Sequence, residues 1–297
     1  MTGSNHPPSD LRLGLLFGIT GVLIFSGTLP ATRLIIDTFD PWFLTFGRAL
    51  LASIAAIVVL LITQKAFPRH EAPALLASGI LLVFGFPGCI ALAMTSVPSS
   101  HGGVVLGIMP LATALFATLL AGERAGALFW ICSLAGSALV VVFALRDGGW
   151  GFAVGDFWLV GAIICASCGY VMSAKLSHRL PAWEVISWAL ILTLPISLAG
   201  AILLWDPTYS TFSATDGVAF AYLGLGSMYL GFFAWNAGLR RGGMARIGQL
   251  QLLQTFFTLA IAAVVLGEHI TLQTLGYALA IFIIIFIGQR ARIDRRP

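Results

Sequence analysis

Arg48 is the residue in this 297-residue chain whose chemistry is hardest to ignore. It stands inside an apolar run, 41–62. A guanidinium at bilayer depth costs roughly 2.5–3.5 kcal/mol on insertion scales, so such residues face a cavity or a partner. There it suits a substrate carboxylate or a gate. The competing reading is a snorkelling or capping side chain, because the outer surface is roughly 10 Å away by helix rise. Its place early in the run favours that second reading.

A polar face lies within 244–266. Gln251, Thr255 and Thr258 share one side of a helix by their spacing, with Gln254 beside them. Such amides and hydroxyls turn away from lipid, either toward a polar solute or toward a neighbouring helix as glue. Leu106, Met109, Pro110 and Thr113 occupy the matching positions of the 102–121 run, so one wall would be polar and the other apolar. Tyr229 and Asn236 are seven apart on one face, with Trp235 beside them, and an aromatic face can hold an ammonium by cation–π attraction. Pro30, Pro87 and Pro110 free the carbonyls of Ser26, Val83 and Leu106, which can bind a cation where they line a cavity and otherwise mark only kinks. Thr20, Phe84 and Ser167 complete the candidate set.

Other reactive residues read as structure. Cys165-x-x-Cys168 lies in an apolar helix with no further Cys or His at ligand spacing, so neither a metal nor a cofactor is expected. Glu123 and Glu268 fall near helix ends, where pairing or gating suits them. His101 falls near a helix start. No Asp or Glu stands at mid-depth, which argues against a carboxylate proton relay. An intramembrane enzyme would need a polar catalytic cluster at depth, and the chain has none.

The elements that must position these groups follow from composition. Charged residues make up 9% of the chain, hydrophobic ones 59%, and mean hydropathy is +0.97. No soluble core hides that much apolar surface, which excludes an aqueous enzyme, a disordered chain, a nucleic-acid binder and a secreted disulfide scaffold. A span needs about 20 apolar residues. Ten runs qualify: 12–36, 41–62, 73–95, 102–121, 127–145, 154–174, 183–205, 217–239, 244–266 and 270–289. The first is too long for the apolar core of a cleavable signal. With both termini in the cytoplasm, the inner loops hold Arg12, Lys65, Arg69, Arg124, Lys175, Arg179, Arg240, Arg241, Arg246, Arg290, Arg292, Arg295 and Arg296. The outer loops hold only Arg33 and Arg146. That bias fixes the expected orientation. The arginine-rich end reads as a cytoplasmic anchor on anionic lipid.

The chain also repeats itself. At an offset of 145, Gly122-Glu123 falls on Gly267-Glu268, Ala117 on Ala262, Thr113 on Thr258 and Gly103 on Gly248. Earlier in each half the offset is 142, bringing Gly27 and Arg33 onto Gly169 and Lys175. The expected fold is therefore an all-α membrane protein of ten transmembrane helices in two five-helix repeats, 1–148 and 149–297. Five is odd, so the second copy is inverted, and in such folds the site lies near the midplane between halves.

Met109-Pro110-Leu111 through Leu120-Ala121-Gly122-Glu123-Arg124, Pro41 followed by Arg48, and Gly267-Glu268 carry a family likeness. The chain resembles the ten-helix EamA-type members of the drug/metabolite transporter superfamily over 11–290. It departs from the pattern at Thr255 and Phe256, where Pro110 and Leu111 would repeat. Within that superfamily it is similar to the YddG-type amino-acid exporters. This resemblance implies export of amino acids, aromatic ones included, across the bacterial inner membrane. The expected protein is a secondary transporter working by alternating access on a small amphipathic solute. Its partners are that solute and the bilayer, with no nucleic acid, and monomer and homodimer stay open. A drug or quaternary-amine exporter is the alternative, and the lack of a mid-membrane carboxylate counts against it. A channel is a third class, which single-channel currents would reveal.

Overall fold

The computed structural model describes residues 8–121, 123–147, 152–177, 179–242, 248–289 and 293–295. Among the described residues, seven helices are long and apolar enough to cross a membrane. They are α1 (Arg12–Ile35), α2 (Pro41–Thr63), α3 (Arg69–Met94), α4 (Ser99–Leu120), α6 (Val154–Leu176), α7 (Trp183–Leu203) and α8 (Ala214–Trp235). Three shorter apolar helices are α5 (Trp130–Arg146), α9 (Leu250–Leu266) and α10 (Leu272–Gly288). Helix is the expected form, since hydrocarbon offers backbone groups no other partner. The structure is all-helical as expected, apart from a three-residue backbone pairing of β1 (Glu123–Ala125) antiparallel to β2 (Ile293–Arg295).

Local sequence sets the helix ends. Asp40 caps α2 by accepting from the amides of Trp42 at 2.8 Å and Phe43 at 3.1 Å, with Pro41 at the first helical position. Ser213 and Asp216 form a capping box at the start of α8. Gly267, at φ +66°, ends α9 in the left-handed region.

Irregularities recur in both halves. α3 contains a π-helical stretch, Ile80–Gly85, and α8 contains another, Tyr222–Leu230. α4 tightens to 3-10 geometry at Leu106–Ile108 before Met109–Ala121, and the Gly248–Leu253 turn does so before Gln254–Leu266. Met109–Ala121 and Gln254–Leu266 lie 145 residues apart at both ends.

Contacts follow the same pattern. The Pro8–Ser26 helix, which runs into α1, lies along Gly231–Gly242, the continuation of α8, while α6 lies along α3. α2 packs on α7, α4 on α9, and α5 on α10. The second, fourth and fifth helices of one half thus meet those of the other, and the first of each meets the third of the other.

Glycine permits the closest crossings. A Cβ at Gly238 would stand 2.7 Å from the Gly18 nitrogen, and one at Gly21 would stand 2.9 Å from Trp235 backbone. Gly85 and Gly161 similarly admit Cys165 and Cys89 across the α3–α6 contact, so these cysteines fill space. Gly276, a small residue of the kind that lets helices approach, instead faces open space.

Candidate functional site

α1 breaks at Gly27, between Pro8–Ser26 and Thr28–Ile35. Residue types explain the break: Pro30 cannot donate to Ser26, and Gly27 leaves room for the Tyr222 hydroxyl, which bonds the Ile24 carbonyl. Three groups from the second half close the gap. The Thr258 hydroxyl donates to the Ser26 carbonyl at 3.0 Å, Thr28 and Ser227 hydroxyls meet at 2.7 Å, and the Ser26 hydroxyl reaches the Gln254 carbonyl at 3.3 Å.

Arg48 joins this network and corrects the snorkelling reading. The side chain is buried, with 3% of its surface exposed. One terminal nitrogen donates to the Leu223 carbonyl at 3.0 Å and to Ser227 Oγ at 3.4 Å. The π-helical turn makes this possible, because a five-residue hydrogen-bond step leaves backbone carbonyls of α8 out of the normal ladder. Arg48 Nε is buried and has no hydrogen-bond partner among the described residues.

Two adjoining lobes open beside this network. The larger has a cavity volume of about 30 Å³ and the smaller about 20 Å³, room for a water or two each, and both include Leu29, Met109 and Gln254. The larger lobe sets Arg48, Thr28 and Ser227 against Phe25, Phe86 and Phe232. Tyr170 and Met228 complete much of its second-half wall. The smaller sets Gln251, Thr255 and Thr258 against Leu106 and Pro110, the polar and apolar walls that the spacing predicts. Neither lobe has an Asp or Glu among its described lining residues.

Five of the sequence candidates therefore meet at one cavity: Arg48, Met109, Gln251, Gln254 and Thr255. Four others stand elsewhere. Thr20 is exposed on the outside of the bundle, its hydroxyl bonded to the Leu16 carbonyl in its own helix. Tyr229 is buried in the core, its hydroxyl 3.0 Å from Ser187 and its ring edge-on to Phe233. Phe84 packs edge-on to Phe46, 5.4 Å between centroids. Ser167 is buried and accepts from Thr113 at 3.3 Å. The side chain of Asn236 lies outside the described residues.

The freed carbonyls also differ from expectation. Ser26 is taken by Thr258, and Leu106 accepts from the Met109 amide within the 3-10 turn. Tyr222 and Ser227 escaped the sequence reading, as did Phe25 and Phe232. A serine or tyrosine beside a glycine-rich α8 carries no distinguishing spacing, and the only hint was Gly224 and Gly226 standing between Tyr222 and Ser227.

Polar contacts tie the halves together at both ends of the bundle. At the end where α2 and α6 finish, Lys65 pairs with Glu184 at 3.1 Å and Arg179 with Glu71 at 2.8 Å. Lys175 there donates to the Leu120 carbonyl. At the opposite end, Glu268 accepts from the Ser99 amide and hydroxyl, both at 2.9 Å, and from the Ser100 amide at 2.8 Å. This carboxylate caps α4. Burial pushes its pKa up, but the Ser99 and Ser100 hydrogen bonds together outweigh that and hold it below the ordinary value. Beside it, His101 Nε2 lies 2.7 Å from Asp156 of α6, both buried, and the imidazole stacks on Phe143.

A family model matches the chain twice, over residues 12–145 and 153–288. The chain belongs to the EamA-like transporter family. It is 43% identical over 278 residues to the uncharacterized transporter YdeK of Bacillus subtilis, covering 93% of this chain and 97% of that one. It is 28% identical to the aromatic amino acid exporter YddG of Ancylobacter novellus, over 79% of this chain and 82% of the relative. It is also 28% identical to a probable amino-acid metabolite efflux pump of Salmonella typhimurium, over 77% and 81%. One crystal structure of a protein matches with a TM-score of 0.64 at 23% identity, covering 93% of this chain and 98% of that one, a likeness of fold. Apolar helices and EamA membership together make this a multi-pass membrane transport protein.

Proposed function

We propose that this protein exports amino acids, or similar small amphipathic metabolites, across the cytoplasmic membrane by alternating access. On this reading, 1–148 and 149–297 are inverted five-helix repeats, the ten apolar helices are all spans, and both termini are cytoplasmic. The observation that carries the reading is the cavity itself. Its walls come from both halves, and polar contacts join those halves beyond it at either end.

Each end then acts as a latch. Lys65–Glu184 and Arg179–Glu71 lie on the cytoplasmic side and part to admit solute. Glu268 on Ser99 and Ser100, with His101–Asp156, lies on the outer side and parts to release it. The two-fold contact pattern and the twice-matched family model support the repeat. The positive-inside bias supports the orientation. Relatives named as amino-acid exporters support the substrate class. A cationic drug finds no acidic partner in the described lining, which disfavours that alternative.

Within the cavity Arg48, Met109, Gln251, Gln254 and Thr255 are the proposed substrate-binding residues. Proteoliposomes containing the protein should speed equilibration of labelled amino acids over empty vesicles. No acceleration across a broad panel removes the amino-acid reading. Gln254→Ala should raise KM about fivefold or more, consistent with loss of one or two polar contacts.

A further inference from the structure

We infer that the cavity recognises its solute through a carboxylate and an apolar body, and makes no specific use of an ammonium group. The inference rests on the exporter reading and narrows its substrate class to aryl or alkyl carboxylates, with or without an α-amino group.

The argument begins at Arg48. Its guanidinium is buried at 3% exposure, lines the larger lobe, and spends one terminal nitrogen on Leu223 and Ser227. Nε keeps a donor without a partner among the described residues. A buried charge with an orphan N–H is costly to leave so, and a carboxylate satisfies both the charge and the donor. Phe25, Phe86 and Phe232 line the same lobe and can receive an apolar body.

An ammonium has no comparable partner. No Asp or Glu lines either lobe among the described residues. Backbone carbonyls near the lobes each already accept a hydrogen bond and carry no full charge: Ser26 from Thr258, Leu223 from Arg48, Leu106 from the Met109 amide, and Gln254 from the Ser26 hydroxyl. Aromatic faces attract cations, but an α-ammonium sits beside its own carboxylate and so beside the Arg48 charge, which repels it.

The test is calorimetric titration of the purified full-length protein in detergent at pH 7 with phenylalanine, 3-phenylpropanoate and 2-phenylethylamine. Expected is 3-phenylpropanoate binding within about threefold of phenylalanine, and 2-phenylethylamine at least about thirtyfold weaker, the loss of a charge-assisted contact. Arg48→Gln should weaken 3-phenylpropanoate about tenfold or more. Should that variant not fold, the three wild-type titrations decide alone. If phenylalanine binds and 3-phenylpropanoate does not, the inference is overturned and the exporter reading stands. If 2-phenylethylamine matches 3-phenylpropanoate, or Arg48→Gln binds it unchanged, the inference is overturned. If 3-phenylpropanoate binds without phenylalanine, recognition through the carboxylate holds, the tolerance of an α-amino group is overturned, and the amino-acid reading falls. Binding by none of the three removes both.

Discussion

Adding one methyl group at Gly238 and at Gly276 separates packing from propensity. At Gly238 the new Cβ would stand 2.7 Å from the Gly18 nitrogen, 2.9 Å from its Cα and 3.0 Å from the Gly14 carbonyl oxygen. Favourable contact lies near 3.5–4.0 Å, so α1 and the Gly231–Gly242 helix must move apart by about 1 Å. Backbone atoms cannot rotate away as a side-chain tip can. A gap of that size forfeits roughly a quarter to a half of the dispersion energy along the contact. Overpacking of this kind costs about 1–3 kcal/mol. At Gly276 nothing lies within 4 Å and the position is exposed. There Gly→Ala gains up to about 1 kcal/mol of helix propensity. Thermal unfolding in detergent, followed by tryptophan fluorescence, reads both. Gly238→Ala should lower Tm by roughly 4–8 °C and Gly276→Ala should leave it unchanged or raise it slightly. Equal Tm for the two variants would refute the assigned helix crossing.

Tyr229→Phe removes a buried hydroxyl contact to Ser187 outside the cavity, so stability should fall by about 1 kcal/mol while KM holds; a raised KM with unchanged Tm reverses that placement. Glu268 has its folded pKa held below the ordinary carboxylate value, so its cap stabilises at neutral pH and is lost as pH falls below about 4.5 through that lower value. Wild type should therefore exceed Glu268→Gln in stability at pH 7, with the difference closing as the medium is acidified. A constant difference from pH 7 to pH 3 would show that the carboxylate's charge plays no part.

The sequence was a good guide where the relevant physics is local. Spans announce themselves because about 20 apolar residues are needed whatever surrounds them. Asp40-Pro41 and Gly267 mark helix ends because caps depend on a residue's own backbone and its near neighbours. Gln251, Thr255 and Thr258 reach a common wall because helical spacing alone puts them on one face. The π-helical and 3-10 stretches left no mark of that kind, since they arise where glycine and proline meet the demands of a neighbouring helix.

What the sequence determined by itself was membrane residence, the rough bounds of the apolar helices and a polar face on α9. Tertiary structure alone decided which polar groups see the cavity. The reason lies in the solvent. In water, exposure selects polar residues, so a polar stripe reports the outside. In a bilayer, lipid-facing and core-facing residues are both apolar, and single hydroxyls such as Thr20 satisfy themselves on their own helix anywhere. Thr20 outside, Tyr229 in the core and Arg48 at the cavity differ only in what stands across from them. For Arg48 that partner is the Leu223 carbonyl, 175 positions along the chain, and only the fold brings it within 3.0 Å.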